Sequence, residues 1–281
     1  MGIRTILVHL DSRRHTPARV ESAAALALQH EAHLIGMAST GWVPIPADSA
    51  GALGITAYQE AAMNQLRDEA QACVQRFEEQ VRRLGVLSFE GRVDLSYAGD
   101  SMPLAARYCD LTVVTQTDPD EPREAPWPPM QQEVLLQSGR PLLVLPYAGE
   151  CIVPPAARVL VGWNGSREAA RAMHDALPLL ERAAHVEVVV FEPPESVEQN
   201  HGDLPGADIG LWLTRHGVNV HVSYVPIKVA TGEALLSHAA DIGAHLIVAG
   251  GYGHSRLREA ILGGVTRTLM RTSPVPVLLS H

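Results

Sequence analysis

Short apolar runs alternate along this chain with longer segments in which apolar residues recur at helical spacing. In the second half the strand-like runs lie near 185–191, 218–224, 245–249 and 275–279, and the helical patterns lie near 205–216, 231–242 and 256–272. Strands that are apolar throughout, without polar alternation, are typical of a parallel sheet covered on both faces. With right-handed crossovers, this alternation predicts a doubly wound α/β architecture.

The same pattern occurs twice. The strand Thr5–Ser12 matches the strand Arg158–Ser166, about 153 positions later, and each leads into an alanine-rich helical pattern with Ser12 or Ser166 near a suitable N-cap. The apolar segments 140–146 and 273–279 match each other near the ends of the two units. A repeat over the whole chain predicts two tandem domains, at 1–148 and 156–281, joined near 147–155, where Gly and Pro interrupt the pattern.

Glycines follow the fourth apolar run of the second unit. Gly250 and Gly253 come directly after it, and Gly263 and Gly264 follow nine residues later. Backbone N–H groups in such a loop can approach a phosphate closely, and a following helix N-terminus adds partial positive charge. Turn geometry or close helix packing would require the same glycines, so both interpretations stay open. A Walker loop is excluded because no lysine follows the glycines, and a dinucleotide fingerprint is excluded because Arg256 stands where glycine or alanine is required.

The spacing Gly250-x2-Gly253-x9-Gly263 resembles the nucleotide-binding signature of the universal stress protein family, in which serine or threonine follows the last glycine. This chain has Gly264 at that position. The tandem arrangement resembles the same family, whose two-domain members pack as a pseudo-dimer through their last strands. The resemblance covers nearly the whole chain, is strongest over 244–281, and implies two Rossmann-like domains of the adenine-nucleotide α-hydrolase type.

The resemblance also implies an adenine nucleotide, ATP with or without Mg²⁺, at the ends of the first and fourth strands of the second domain. Asn164 stands where family members usually carry aspartate, and the backbone near Val190 and Phe191 would border the adenine. Trp163 either flanks the base or packs in the core, and Arg256 is placed to reach a phosphate. The cofactor-binding residues expected from the resemblance are Trp163, Asn164, Val190, Ala249, Gly250, Gly253, Arg256, Gly263, Gly264 and Val265.

The matching segment of the first unit, 110–129, contains no glycine cradle. It carries several acidic residues and prolines, which repel phosphate and lack N–H donors. We therefore expect only the second domain to hold a nucleotide.

Composition narrows the classes of partner. The net charge of −9 and pI near 5.8 argue against nucleic acid, and the absence of a long apolar run or a signal-peptide pattern predicts a cytoplasmic protein without membrane contact. The three cysteines, Cys73, Cys109 and Cys151, form no disulfide or CxxC pattern, and neither the histidines nor the carboxylates have metal-pair spacing. A homodimer, the commonest assembly, is compatible with the sequence, although no residue specifies one.

Three functions follow from these observations. The first is a stress-response regulatory protein that binds ATP in its C-terminal domain and signals to a protein partner. The second is a nucleotide-blind structural or interaction protein of the same fold, favoured by Gly264 and Asn164. The third is a hydrolase on this fold, for which no catalytic set is visible; slow ATP hydrolysis is the one reaction that the first function leaves open.

Overall fold

A computed structural model describes residues 2–41, 55–121, 129–192, 206–252 and 264–281. Within them, a single ten-stranded sheet carries helices on both faces. The elements of the first half are β1 (Thr5–Leu10), α1 (Thr16–His30), β2 (His33–Ser39), α2 (Ile55–Arg83), β3 (Phe89–Asp94), α3 (Ala98–Ala106), β4 (Leu111–Thr115), α4 (Met130–Gln137) and β5 (Leu142–Leu145). Those of the second half are β6 (Arg158–Gly162), α5 (Arg167–Leu180), β7 (His185–Glu192), α6 (Ala207–Arg215), β8 (Val220–Pro226), α7 (Thr231–Asp241), β9 (Leu246–Gly250), α8 (Gly264–Thr272) and β10 (Val277–Ser280).

The order of the strands is β3-β2-β1-β4-β5-β10-β9-β6-β7-β8. Each half therefore has the doubly wound order 3-2-1-4-5, with all of its strands parallel. The halves meet where β5 and β10 pair antiparallel, with Leu143 opposite Leu278. The predicted fold class, two tandem parallel-sheet domains joined through their last strands, is confirmed.

Alternating residues of the buried strands supply the two layers of the core. Ile6 and Val8 point to the layer of α1, α2, α5 and α6, whereas Leu7 points to the layer of α3, α4, α7 and α8. Because both faces are covered, the central strands can be apolar throughout, as the pattern of the sequence indicated.

The predicted elements are largely where the periodicity indicated, with two instructive differences. Ser12 does not cap α1, whose N-cap position is His15 and has no side-chain hydrogen bond. β6 ends at Gly162, four residues before the expected end at Ser166, because Asn164 and Ser166 form the turn that starts α5. None of the described helices combines the length and apolar character needed to cross a bilayer.

Candidate functional site

The crevice of the second half lies beyond the carboxyl ends of β6 and β9. These strands are neighbours in the sheet, and Gly162 is paired with Ala249. Asn164 follows the first strand and Gly251 the second, so the topology brings both to the same edge. This is the switch point of the half, where ligands bind in open parallel sheets.

Asn164 is held in place by the start of α5. Its Oδ1 accepts hydrogen bonds from the backbone N–H of Ser166 at 3.2 Å and from Ser166 Oγ at 2.8 Å. Ser166 Oγ in turn accepts from the N–H of Ala169 at 3.1 Å, which makes Ser166 the N-cap of the helix. Among the described residues, no partner contacts Asn164 Nδ2, so an exposed amide donor remains at the mouth of the crevice.

Several predicted site residues are core residues at the strand ends. Trp163 is half-buried and packs against the core layer of α5, so of its two interpretations the structure favours packing. Val190 and Ala249 are 2% and 4% exposed and are paired with neighbouring strands, so their side chains belong to the core. The backbone N–H of Trp163 already donates to Val189 O at 3.0 Å.

Gly250 and Gly251 are required by close packing. A Cβ on Gly250 would lie 2.6 Å from the backbone nitrogen of Ala169 in the first turn of α5. A Cβ on Gly251 would lie 2.8 Å from Leu135 Cδ2 in α4 of the other half. Contacts this short leave no room for a side chain, so helix packing alone explains both glycines.

Gly264 is different, because a Cβ there would meet no atom of the described residues within 4 Å. It is the first residue of α8, whose next residue, Val265, is half-buried against the core. Thr266 Oγ1 accepts a hydrogen bond from the N–H of Tyr252 at 3.1 Å, and Tyr252 has a left-handed backbone with φ of 60°. The Thr266 hydroxyl therefore anchors the turn after β9 to α8, a role that sequence reasoning missed.

Gly253, Arg256 and Gly263 lie outside the described residues, so the structure describes only the two flanks of the glycine motif.

A buried carboxylate lies beside this crevice. Glu168, in the first turn of α5, is 6% exposed, and its Cβ would be 3.0 Å from a Cβ added to Gly250. Burial favours the protonated acid, but the hydrogen bond from Arg167 Nε at 2.6 Å, a backbone hydrogen bond and the nearby positive charge together outweigh it, and the pKa of Glu168 lies below its usual range. The sequence presented Glu168 only as a carboxylate without metal-pair spacing, and its burial could not be read from it.

The equivalent crevice of the first half is filled by Arg19, which is 3% exposed. Its Nε donates to His9 O at 2.7 Å, its Nη1 to Thr115 Oγ1 at 2.9 Å and its Nη2 to Thr16 Oγ1 at 2.9 Å. Nη2 also lies 3.0 Å from Asp11 Oδ2. The guanidinium thus joins α1 to the ends of β1 and β4 and occupies the switch point.

The buried pair of Arg19 and Asp11 shifts the pKa values of the titratable groups around it. Burial would raise the pKa of Asp11, but the charge of Arg19 and further hydrogen bonds hold it well below its usual range. Burial, followed by the charge of Arg19, lowers the pKa of His9 to about 4. Asp11 is therefore an anion and His9 neutral near pH 7.

Matching the halves by strand register explains the contrast between their crevices. β1 pairs with β4 at Ile6 and Leu111, and β6 pairs with β9 at Val159 and Leu246. Counted from these pairs, the equivalents of Asp11, Arg19 and Thr115 are Asn164, Ala172 and Gly250. The first half therefore has a buried cation and a hydroxyl where the second half has a methyl group and no side chain.

Ion pairs also close the entrance of the first crevice. Arg14 contacts Asp118 through Nε at 2.9 Å, His15 Nε2 lies 2.6 Å from Asp118 Oδ2, and Arg13 Nη1 lies 3.2 Å from Glu121 Oε2. The hydrogen bond from His15 holds the pKa of Asp118 well below its usual range. The sequence suggested acidic residues free to repel a phosphate, whereas the structure pairs Asp118 and Glu121 with cations.

His15, Asp118 and Glu121 are also close enough together to share a metal ion. The neighbouring arginines already neutralise both carboxylates, so the cluster is balanced as an ion-pair network without a cation.

Comparisons with known proteins agree with this architecture. Residues 156–281 match the model of the universal stress protein family. The chain is similar to a universal stress protein from Archaeoglobus fulgidus DSM 4304, with 16% identity, a TM-score of 0.75 and coverage of 98% of this chain and 95% of that one. It is also similar to a functionally unknown protein from Pseudomonas aeruginosa PAO1, with 15% identity, a TM-score of 0.60 and coverage of 99% and 92%. A search of curated proteins returned no match. Residues 156–281 therefore form a domain of the universal stress protein family, and the chain as a whole fits a tandem member of that family.

Proposed function

We propose that this protein is a stress-response regulatory protein that binds an adenine nucleotide, ATP, in the second of two domains spanning 1–148 and 156–281. The observation that carries the proposal is the contrast between the crevices. Arg19 and Thr115 place a buried guanidinium and a hydroxyl in the first, whereas the matching positions of the second are Ala172, which is buried in the core, and Gly250, against which the first turn of α5 packs, so the second has no buried arginine at its switch point. The first domain then has a structural role: it has the same fold and supplies β5, one of the two strands that join the domains.

Residues of the second crevice suit the parts of a nucleotide. The Nδ2 of Asn164 can donate to a ribose hydroxyl, and the backbone beside Val190 borders the base. The backbone N–H groups at the N-terminus of α8, which begins at Gly264, can donate to phosphate oxygens, with Gly253 and Arg256 contributing as the sequence motif indicates. Magnesium bound with ATP would offset the phosphate charge beside Glu168.

A nucleotide-blind interaction protein is the second candidate, and specific observations favour it. Packing alone explains Gly250 and Gly251, the side chain of Asn164 is partly committed to Ser166, and Gly264 lacks the hydroxyl usual in the family. Both candidates share the expectation of a cytoplasmic protein with an unidentified protein partner, and the net charge of −9 supports neither nucleic acid nor anionic membrane as that partner.

A hydrolase has less support. Ser223 Oγ and His238 Nε2 both contact Glu187 Oε1, at 2.8 Å and 2.7 Å. The carboxylate lies between the hydroxyl and the imidazole, so in this cluster the histidine does not take the serine proton.

Calorimetric titration with ATP and magnesium tests the proposal on the wild type and two variants of Gly264. Because a Cβ there meets no described atom within 4 Å, Gly264→Trp adds bulk at the start of α8 without a clash against the described backbone, and Gly264→Ser restores the missing hydroxyl. We expect saturable wild-type binding, its loss in Gly264→Trp, and affinity roughly tenfold higher in Gly264→Ser from one added hydrogen bond to a charged group.

Tyr108→Trp is the matched control, since Tyr108 lies in the first half and is 86% exposed. This variant should bind ATP as the wild type does. Absence of binding by folded wild-type protein at millimolar ATP would leave the interaction protein as the better conclusion.

A further inference from the structure

Helix α8 extends from the crevice of the second half to the edge of the first half. Its N-terminus, at Gly264, follows the glycine motif, and its carboxyl end leads into β10, which runs antiparallel to β5. Because of this antiparallel pairing, the helix ends at the edge of the sheet where the strands of the first half end. There it contacts Gln116, the residue that follows β4.

Gln116 is 4% exposed and connects three segments of the chain. Its Nε2 donates to Leu269 O at 3.2 Å and to Ser273 O at 3.0 Å, at the carboxyl end of α8. Its Oε1 accepts from the N–H of Tyr147 at 3.4 Å, and its own N–H donates to Leu145 O at 2.8 Å. Carbonyl groups at the end of a helix need partners from outside the helix, so an amide of the first half caps a helix of the second.

The second half offers no equivalent cap in return. Counted with the same strand register, the equivalent of Gln116 is Gly251, and the helix that it contacts is α4. Gly251 has no side chain to donate to the carbonyl groups of α4, and Leu135 packs against it instead. The amide cap therefore belongs only to the helix that begins at the glycine motif.

A displacement of one end of α8 reaches its other end, because the helix has nine residues and is about 14 Å long. Its middle packs closely against α7, where a Cβ on Gly232 would lie 2.9 Å from Thr268 Cβ. In its first turn, Thr266 Oγ1 accepts from the N–H of Tyr252, which joins the turn after β9 to the helix. A change at Gln116 therefore acts on both flanks of the glycine motif.

We propose that Gln116 is a positioning residue for the nucleotide site. By capping α8 from the first half, it fixes where the N–H groups at the other end of the helix lie when they receive a phosphate. The inference rests on the proposed function for its ligand, and it gives the first domain a part in binding by the second. Donors held in place before binding lose less freedom on binding, so the cap raises affinity for the phosphates. The base and the ribose border Val190 and Asn164 instead, and their binding does not depend on α8.

Gln116→Met tests the role of the cap, because methionine keeps the length of the side chain and removes its donor and its acceptor. Calorimetric titration compares ATP with magnesium against adenosine, which has the base and the ribose but no phosphate. The affinity for ATP should fall between about threefold and about 30-fold, the range for residues that act on a site without touching its ligand. The affinity for adenosine should stay as in the wild type, whereas a general loss of structure would weaken both ligands together.

Gln29→Met is the matched control. Gln29 is also a first-half glutamine whose Nε2 donates to a backbone carbonyl, Val153 O at 3.1 Å, but it lies on α1, on the opposite face of the sheet from α8. Its substitution should leave both affinities unchanged. Equal losses of ATP affinity in the two variants, or parallel losses of ATP and adenosine in Gln116→Met, would overturn the inference.

Hydrogen exchange without nucleotide separates this inference from the proposed function. In ligand-free protein, NMR should show exchange of the Tyr252 N–H at least about tenfold faster in Gln116→Met than in Gln29→Met, because its acceptor on Thr266 moves with α8. Unchanged exchange would overturn the inference whether or not ATP binds. Faster exchange in a protein that binds no ATP would refute the proposed function alone and support the positioning of α8 by Gln116.

The wild type provides a test that needs no folded variant. Coupling between two sites is reciprocal, so ATP should slow exchange of the Tyr147 N–H, which donates to Gln116 Oε1, and adenosine should not. Equal protection by the two ligands, or bound ATP without protection, would contradict a link through α8.

Discussion

Replacing Arg19 with methionine should destabilise the first domain strongly. Methionine keeps the apolar stem of the side chain but removes the guanidinium, which makes hydrogen bonds to His9 O, Thr115 and Thr16 and pairs with Asp11. Breaking a buried ion pair by removing one partner costs about 3–5 kcal/mol, because the remaining charge stays buried without compensation. Asp11 has only 17% of its side chain exposed, so we expect a loss in this range.

Urea denaturation at pH 7.5 measures this loss through the midpoint and the slope m. The double variant Arg19→Met/Asp11→Asn removes both charges and should recover part of the loss. Arg82→Met is the matched control, since Arg82 forms an exposed i,i+4 ion pair with Glu78 at 2.7 Å. This variant should lower the free energy of unfolding by no more than about 1 kcal/mol. If Arg19→Met cost as little as Arg82→Met, the assignment of Arg19 as the buried charge that holds the first crevice closed would be wrong.

Three further predictions concern the joint between the halves, acid stability and the glycines. Gln116→Leu should lower the free energy of unfolding by about 1–3 kcal/mol, because Gln116 Nε2 donates to Leu269 O at 3.2 Å and to Ser273 O at 3.0 Å across the halves. Thermal unfolding measures this loss, and an unchanged midpoint temperature would contradict the prediction. The pKa of His9 is about 4 in the folded protein, below its unfolded value of 6.5. The contribution of His9 to the free energy of unfolding is therefore complete above pH 6.5 and falls by up to about 3 kcal/mol as the pH drops to 4. Denaturant midpoints of His9→Gln should therefore depend less on pH between 6.5 and 4 than those of the wild type. Gly250→Ala should lower the free energy of unfolding by about 1–3 kcal/mol through its clash with Ala169. Gly264→Ala, whose added Cβ meets no described atom within 4 Å, should leave it unchanged or raise it slightly, and equal denaturant midpoints for the two variants would refute the packing argument.

Local patterns were enough to predict much of this fold. The uniformly apolar strand β9 and the amphipathic helix α5 are visible in the sequence because side-chain periodicity reflects which faces are buried. The repeat of β1 as β6 indicated two units, and the family resemblance supplied the joint through β5 and β10. The candidate site was predicted only in outline. The topology brings Asn164 and Gly251 to one edge of the sheet, and Gly250 and Gly251 pack closely against helices, one of the two interpretations that the sequence left open.

The sequence by itself determined the alternation of strands and helices, the duplication and the place of the glycine motif, because each depends on residues near one another in the chain. Only the tertiary structure decided that Arg19 fills the first crevice, that Arg14 pairs with Asp118 from 104 positions away, and that Gln116 donates to Leu269 O and Ser273 O across the halves. Charge pairing and cavity shape depend on distances between atoms that the chain brings together only on folding. Composition and periodicity carry no record of those distances, and for that reason the two crevices, similar in topology, could be told apart in detail only in three dimensions.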